Sequence, residues 1–321
     1  MRIIGIESSA HTLGIGIVSS GKVLANKKLM YDVGTTGMIP NKVAEFHIGN
    51  ISTVIKAAVE GAGIRITDID GVGYTRGPGL GPCLSVGQLA AKTIAATIGV
   101  PIAPVNHGIG HIEIAKAFSH TKDPLVIYVS GGNSQILKRH GRRYRVLGET
   151  FDIGIGNMFD SFARKLKLSP AWGSTVEKKA KGGRYMAMPF TVKGMDFSFT
   201  GLQTHAAKLA GKASENDVCF SLRETAFAMV CEAAERAILL TNSRELIVCG
   251  GVAQSARLQE MLHDVAREHR VRFGFAPNEY NADNGAMIAY VAERMLQNGA
   301  DTPLNECDIE QRYRLENVVV Y

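Results

Sequence analysis

An α/β protein built from two related halves is the fold class this sequence predicts, and three observations predict it. One order of elements, strand–turn–strand–strand–helix–strand–helix, runs along the chain twice. Three turns, ESSAHT (7–12), SGGNS (130–134) and CGGVAQS (249–255), each follow an apolar strand. A chain of 321 residues also exceeds the roughly 250–300 that one hydrophobic core normally serves, so two packed domains are expected.

In the first half, RIIGIE (2–7) reads as a buried strand, with LGIGIV (13–18) and VLANKKLM (23–30) as antiparallel partners. A helix over 40–61, a strand over 71–75, a helix over 84–98 and a strand over 101–105 follow. The second half opens the same way: PLVIYVS (124–130), then QILKR (135–139) and YRVLGE (144–149), then a helix over 155–168. An amphipathic helix over 218–241 leads into the strand ELIVCGG (245–251), and helices over 255–269 and 281–298 complete the set. The repeat is in element order, not in letters. It places the domains at 1–120 and 121–321.

Composition narrows the function classes. Hydrophobic content of 45% is that of a globular chain, and 21% charged residues are too few for a disordered one. The net charge of +6 suits a nucleic-acid or polyphosphate partner. Five cysteines, at 83, 219, 231, 249 and 307, form no CxxC pair, which excludes a thiolate zinc knot and fits a reducing cytoplasm. The apolar stretch 84–105 is broken by Gln88, Lys92 and Pro101, so no bilayer span and no membrane partner are expected.

Backbone amides freed at small-residue turns and helix N-termini bind anions, because glycine lets a phosphate approach closely. Two such hairpins facing across a nucleotide cleft resemble the two-domain actin-like ATPase and sugar-kinase fold (ASKHA), a likeness of fold that does not fix the reaction. His107 and His111, spaced i and i+4, project from one helical face and can share a metal ion. A zinc protease would carry H-E-x-x-H; Gly108 follows His107 here, and the general-base glutamate is missing.

Eight ordered blocks carry a closer resemblance: GIESSAHTLGIGIV, TRGPGLGPCLSVG, NHGIGHIEI, YVSGGNSQI, DIGIGNMFDSFARKL, MDFSFTGLQT, CGGVAQSARLQ and QRYRLENV. Together they resemble the tRNA threonylcarbamoyladenosine transferase family, in its archaeal and eukaryotic branch. That family transfers a threonylcarbamoyl group from threonylcarbamoyl-AMP to N6 of the adenine 3′ of the anticodon in tRNAs reading codons that begin with A. The resemblance implies one metal ion per chain, with His107, His111, Tyr128 and Asp283 as ligands. This is a hard N/O set without sulfur that suits iron at least as well as zinc, and iron is the ion expected. Each ligand has an ordinary alternative: a strand-end cap for His107, a surface side chain for His111, burial in a strand for Tyr128 and capping of the next helix for Asp283. Threonylcarbamoyl-AMP, with ATP as its analogue, is expected at Tyr128, Val129, Ser130, Gly131, Gly132, Asp160, Gly173, Glu177 and Ser255, the carboxylates serving ribose hydroxyls. Glu7 and His11 are assigned to positioning water or substrate, as catalytic residues.

The chain departs from the family pattern at Asn41, Lys42 and Phe46, with His47 kept, at Trp172 beside Gly173, and at Ser255 where asparagine is usual. Basic segments at 138–145 and 164–184 suit RNA phosphates. No aromatic RNA-binding module is recognisable, so tRNA selection is expected to need additional subunits; the resemblance implies those of KEOPS, a small kinase or ATPase and a small dimerising subunit. The C-terminal QRYRLENVVVY reads as a terminal strand, and the chain is expected to continue past Tyr321 into a kinase. Two alternatives remain at this stage. One is a phosphotransferase or regulatory ATPase of the same fold; the other is a nucleic-acid-binding protein with lyase-like activity on DNA.

Overall fold

Two five-stranded mixed sheets form the framework of the computed structural model, which describes residues 1–34 and 37–321. The first sheet is made of β1 (Arg2–Glu7), β2 (Thr12–Ser19), β3 (Lys22–Met30), β4 (Gly71–Gly77) and β5 (Ile102–Asn106). Helices α1 (Pro40–Gly61), α2 (Gly81–Ile98) and α3 (His107–Ser119) join them. The strand order is β3-β2-β1-β4-β5, antiparallel through the meander and parallel across β1, β4 and β5.

The second sheet holds β6 (Leu125–Val129), β7 (Ser134–His140) and β8 (Arg143–Glu149). Next come α4 (Ile155–Lys165), α5 (Gly173–Lys179), the short pair β9 (Val192–Lys193) and β10 (Asp196–Phe197), α6 (Thr200–Leu209) and α7 (Glu215–Thr241). Strand β11 (Glu245–Cys249), α8 (Ala256–Glu268), β12 (Arg272–Phe275) and α9 (Asn278–Asn281) complete it. Its order, β12-β11-β6-β7-β8, repeats the first when each sheet is read from its opening meander. The halves are therefore duplicated in topology, as the actin-like reading requires.

Local chemistry sets the helix ends. Pro40 starts α1, and a proline in the first turn of α2 extends that helix to Gly81, before the expected start at 84. Gly99 closes α2 at φ +71°, in the left-handed region that needs no Cβ. The all-buried run after Arg2 fits a central strand covered on both faces.

The chain does not divide once. One unit comprises Met1–Ala117 together with Ala282–Tyr321, the other Phe118–Asn281, so 282–321 leaves the domain (121–321) to which sequence order assigned it. The reason is the packing of α10 (Gly285–Gln297) on the first sheet. A Cβ on Gly5 would lie 2.2 Å from the Ala289 amide nitrogen, and one on Gly16 2.1 Å from that of Ala286. The helix backbone thus rests directly on the strands. Glu293, 2% exposed, clasps the β2–β3 turn by accepting from the Ser20 and Gly21 amides at 2.6 and 2.8 Å. The expected strand at the C-terminal run does not form. Leu315–Asn317 makes a 3-10 turn, and the alternation reflects side chains such as Val320, 4% exposed, packing without a ladder.

Replacing Gly16 by alanine is expected to lower unfolding free energy by about 1–3 kcal/mol or more, because the methyl cannot fit against α10. Gly49→Ala, on α1 with open space around it, should raise stability by about 0.4–1 kcal/mol. Chemical denaturation of the two variants checks both signs.

Candidate metal centre and nucleotide loop

Strand β5 ends at Asn106, whose Oδ1 accepts the Ile109 amide at 3.1 Å and starts α3 with His107 in its first turn. One helical turn on, His111 comes to the same side, its ring 4.7 Å from that of His107 and nearly perpendicular to it. The third member arrives with α10. Asn284, not Asp283, caps that helix, accepting the Met287 amide at 3.0 Å and leaving the Asp283 carboxylate for the histidines. Asp283 Oδ1 lies 3.2 Å from His111 Nε2 and 3.6 Å from His107 Nε2. The candidate ligand atoms of the three residues all fall within 4.8 Å of one another.

Glu7 stands behind this trio, wholly buried. Its Oε1 accepts the Ser9 amide at 2.7 Å; its Oε2 accepts the Thr75 hydroxyl at 2.7 Å and faces His107 Nδ1 at 2.9 Å. A carboxylate there fixes the proton on Nδ1 and turns Nε2 toward Asp283, the usual way a protein orients a metal-binding imidazole. Glu7 therefore holds His107; its oxygens are engaged by Ser9, Thr75 and that imidazole.

Charge and burial oppose each other across the cluster. Burial disfavours the His107 cation, but the charges of Glu7 and Asp283 outweigh it and push the imidazole up to about 9. Burial likewise disfavours the Glu7 carboxylate, yet His107 beside it keeps the group below the ordinary glutamate range. For Asp283, burial is overcome by the hydrogen bond from His111 and the charge of His107, and it too titrates low. His111 is held below the usual imidazole range by burial.

His11 lies half-buried on the β1–β2 turn, close enough for its charge to act on Asp283. His47 was not among the expected site residues. It is fully buried on α1, has no hydrogen-bond partner on either ring nitrogen among the described residues, and is pushed down to about 4 by burial, with Glu7 and His11 nearby. A polar residue at 47 on the apolar face of α1 was the signal available in sequence.

Tyr128, expected as the fourth ligand, belongs to the second unit, where it is 1% exposed near the end of β6. Val129 ends that strand and the Ser130–Gly132 loop follows, closed by the Ser130 amide donating to the Asn133 carbonyl at 2.7 Å. The loop meets the N-terminus of α4: the Gly156 and Asn157 amides donate to the Ser130 and Gly131 carbonyls at 3.1 and 3.0 Å. Gly132 is exposed with nothing within 4 Å of where a Cβ would be, as close approach of an anion requires. Because Cys249 pairs with Tyr128, the second glycine turn lies alongside, and Gly250 at φ +96° sits against the Val129 carbonyl.

Asp160, Gly173, Glu177 and Ser255 also gather in this unit. Asp160 Oδ1 accepts the Gly173 amide at 2.7 Å and so holds the start of α5; it is not merely a solvated helix acid. Glu177 Oε2 accepts the Ser255 hydroxyl at 3.0 Å, and burial raises its carboxyl above the usual range against the charge of Arg223. Ser255 also caps α8, accepting the Leu258 amide at 3.4 Å. A second group escaped sequence reasoning: Glu224 accepts from Arg223 at 2.6 Å and from Arg257 at 2.8 Å, and the Arg223 it holds acts on Glu177.

Protons compete with a metal ion for His107, whose imidazole titrates near 9. Uptake of Zn2+, used as a probe, is expected to strengthen as pH rises toward that value. Glu7→Gln removes the charge that raises the imidazole and should move the onset to lower pH, even as plateau affinity falls. His111→Ala should abolish tight uptake. Equilibrium dialysis across pH checks the set, and an unshifted onset in Glu7→Gln would sever Glu7 from His107.

A family model described as tRNA N6-adenosine threonylcarbamoyltransferase matches residues 19–290. A protein of that name from Thermococcus sibiricus is 44% identical over 323 residues, covering 100% of this chain and 99% of its own. A "probable bifunctional tRNA threonylcarbamoyladenosine biosynthesis protein" from Thermoplasma volcanium is 43% identical over 320 residues. That match takes in 99% of this chain, which spans only 61% of that relative's length. Among solved structures, HypF from T. kodakarensis shares the fold at TM-score 0.64 and 15% identity, over 93% of this chain and 48% of that one. With matching blocks from end to end and identity far above that of fold relatives, this chain belongs to the tRNA N6-adenosine threonylcarbamoyltransferase family.

Proposed function

We propose that this chain transfers a threonylcarbamoyl group from threonylcarbamoyl-AMP to N6 of the adenine 3′ of the anticodon, in tRNAs reading codons that begin with A. The observation that carries the reading is the His107–His111–Asp283 trio backed by Glu7, in a chain of this family. The N/O donors suit iron at least as well as zinc, and iron is the ion this reading takes. An ion held there supplies Lewis acidity toward phosphate and carbonyl oxygens.

The chain's own groups do the rest. Within the Ser130–Gly132 loop, the Gly131 and Gly132 amides serve the phosphate of the adenylate. Asp160 and Glu177 serve the ribose hydroxyls, with Ser255 steering Glu177. His11 positions water or the incoming amine. In the transfer, N6 forms a bond to the carbamoyl carbon and loses a proton, and the carbon–oxygen bond to phosphate breaks with AMP taking the electron pair. Partners on this reading are tRNA and KEOPS-type subunits, a small kinase or ATPase and a small dimerising protein. The setting is the cytoplasm. Among the described residues, no helix is long and apolar enough to cross a membrane.

The direct test incubates the chain with threonylcarbamoyl-AMP, tRNA and partner subunits, then weighs the digested nucleosides. Threonylcarbamoyladenosine is the expected product; its absence together with ATP-dependent sugar phosphorylation would replace this reading with a phosphotransferase. Glu177→Ala and Asp160→Ala should weaken ATP binding about tenfold or more, since each removes charged hydrogen bonds of roughly 1.5–3 kcal/mol. Metal content should stay at the wild-type level, and titration calorimetry beside metal analysis separates the two effects.

A further inference from the structure

The β7–β8 hairpin carries a charge pattern that its own fold does not neutralise. Register places Lys138 opposite Arg145 and His140 opposite Arg143, so these four side chains share one face. Tyr144, 1% exposed, points to the other face and is buried, which sends the basic face to solvent. His140, Arg142, Arg143 and Arg145 are all exposed. Lys138 is paired with Asp123 at 2.8 Å, whereas Arg143 and Arg145 have no carboxylate partner among the described residues. Like charges set directly opposite one another destabilise a hairpin, so an anion outside the chain is what this face suits.

The hairpin also points away from the nucleotide loop. Ser134 pairs with Val129 beside the Ser130–Gly132 turn, while Lys138 pairs with Leu125 at the far end of β6. At about 3.3 Å per residue, six steps along β7 put His140 roughly 20 Å from the loop. A polyanion bound at both places must be at least that long, and along each strand the cations repeat every second residue, about 6.6 Å. Arginine pairs with phosphate in a bidentate fork.

We propose that this face is a secondary docking surface for the tRNA backbone, gripping stem phosphates roughly 20 Å from the nucleotide loop of the same unit and not the reacting base. The proposal rests on the transferase reading above. Its test is Arg143→Glu with Arg145→Glu in the full assembly, assayed on whole tRNA and on an unstructured anticodon-loop oligonucleotide too short to reach both places. Folding is not at risk, since a glutamate at 145 faces Lys138.

With whole tRNA, KM is expected to rise about tenfold, kcat at saturation to hold, and the slope of log affinity against log salt to flatten by about 1.5–2 for two lost phosphate contacts. The oligonucleotide should react equally well with both proteins. An unchanged KM and salt slope on whole tRNA would overturn the docking surface. If the wild-type assembly modified neither RNA while still binding ATP, the transferase reading itself would fall.

Discussion

Where α10 crosses β1, β2 and β4, glycine meets glycine and alanine, and helix and strand backbones come closer than any Cβ permits. Asp283 lies two residues before Gly285, the first residue of that helix, so the seating of the helix fixes where the carboxylate stands relative to His107 and His111. A methyl group added to the seat would displace the helix, and the Asp283 carboxylate with it. Glu293 at the other end of α10 clasps the β2–β3 turn, so the helix is fixed along its length.

The cluster above this seat is costly in isolation. Two carboxylates and two imidazoles are taken out of water, and burial opposes the charged form of each. They are tolerated because each satisfies another: Glu7 holds His107, and Asp283 lies between both histidines. The neutral, unpartnered His47 nearby adds no cation to compete for Glu7. Such an arrangement trades stability for a ready set of oriented donors, as functional sites commonly do.

In the second unit the same topology is used differently. Its opening strand ends in the Ser130–Gly132 loop, and the parallel β11 brings a second glycine turn beside it through the Cys249–Tyr128 register. Polar residues far apart in sequence converge around α5: Asp160 on its first amide, Ser255 on Glu177, and Arg223 within reach of that same carboxylate. The duplication supplies two scaffolds of one strand order, and the side chains placed on them divide the chemistry.

By itself the sequence determined the α/β class, the doubled element order, most strand and helix positions and the glycine loops, because these depend on local periodicity, caps and turns. The i,i+4 histidine pair was legible for the same reason, since helical spacing is a local property. Asp283, Glu7, Glu177 and Ser255 could be named only through the likeness of whole blocks, as nothing local joins, for example, positions 172 or 100 residues apart. Tertiary structure alone decided that 282–321 returns to the first sheet and that Asn284 takes the cap and frees Asp283. It also decided that Glu7 is spent on holding His107, that His47 is buried without a partner, and that the C-terminal run forms no strand. These are outcomes of close packing and of which buried polar group finds which partner, and both are set by contacts between segments that the order of residues does not encode locally.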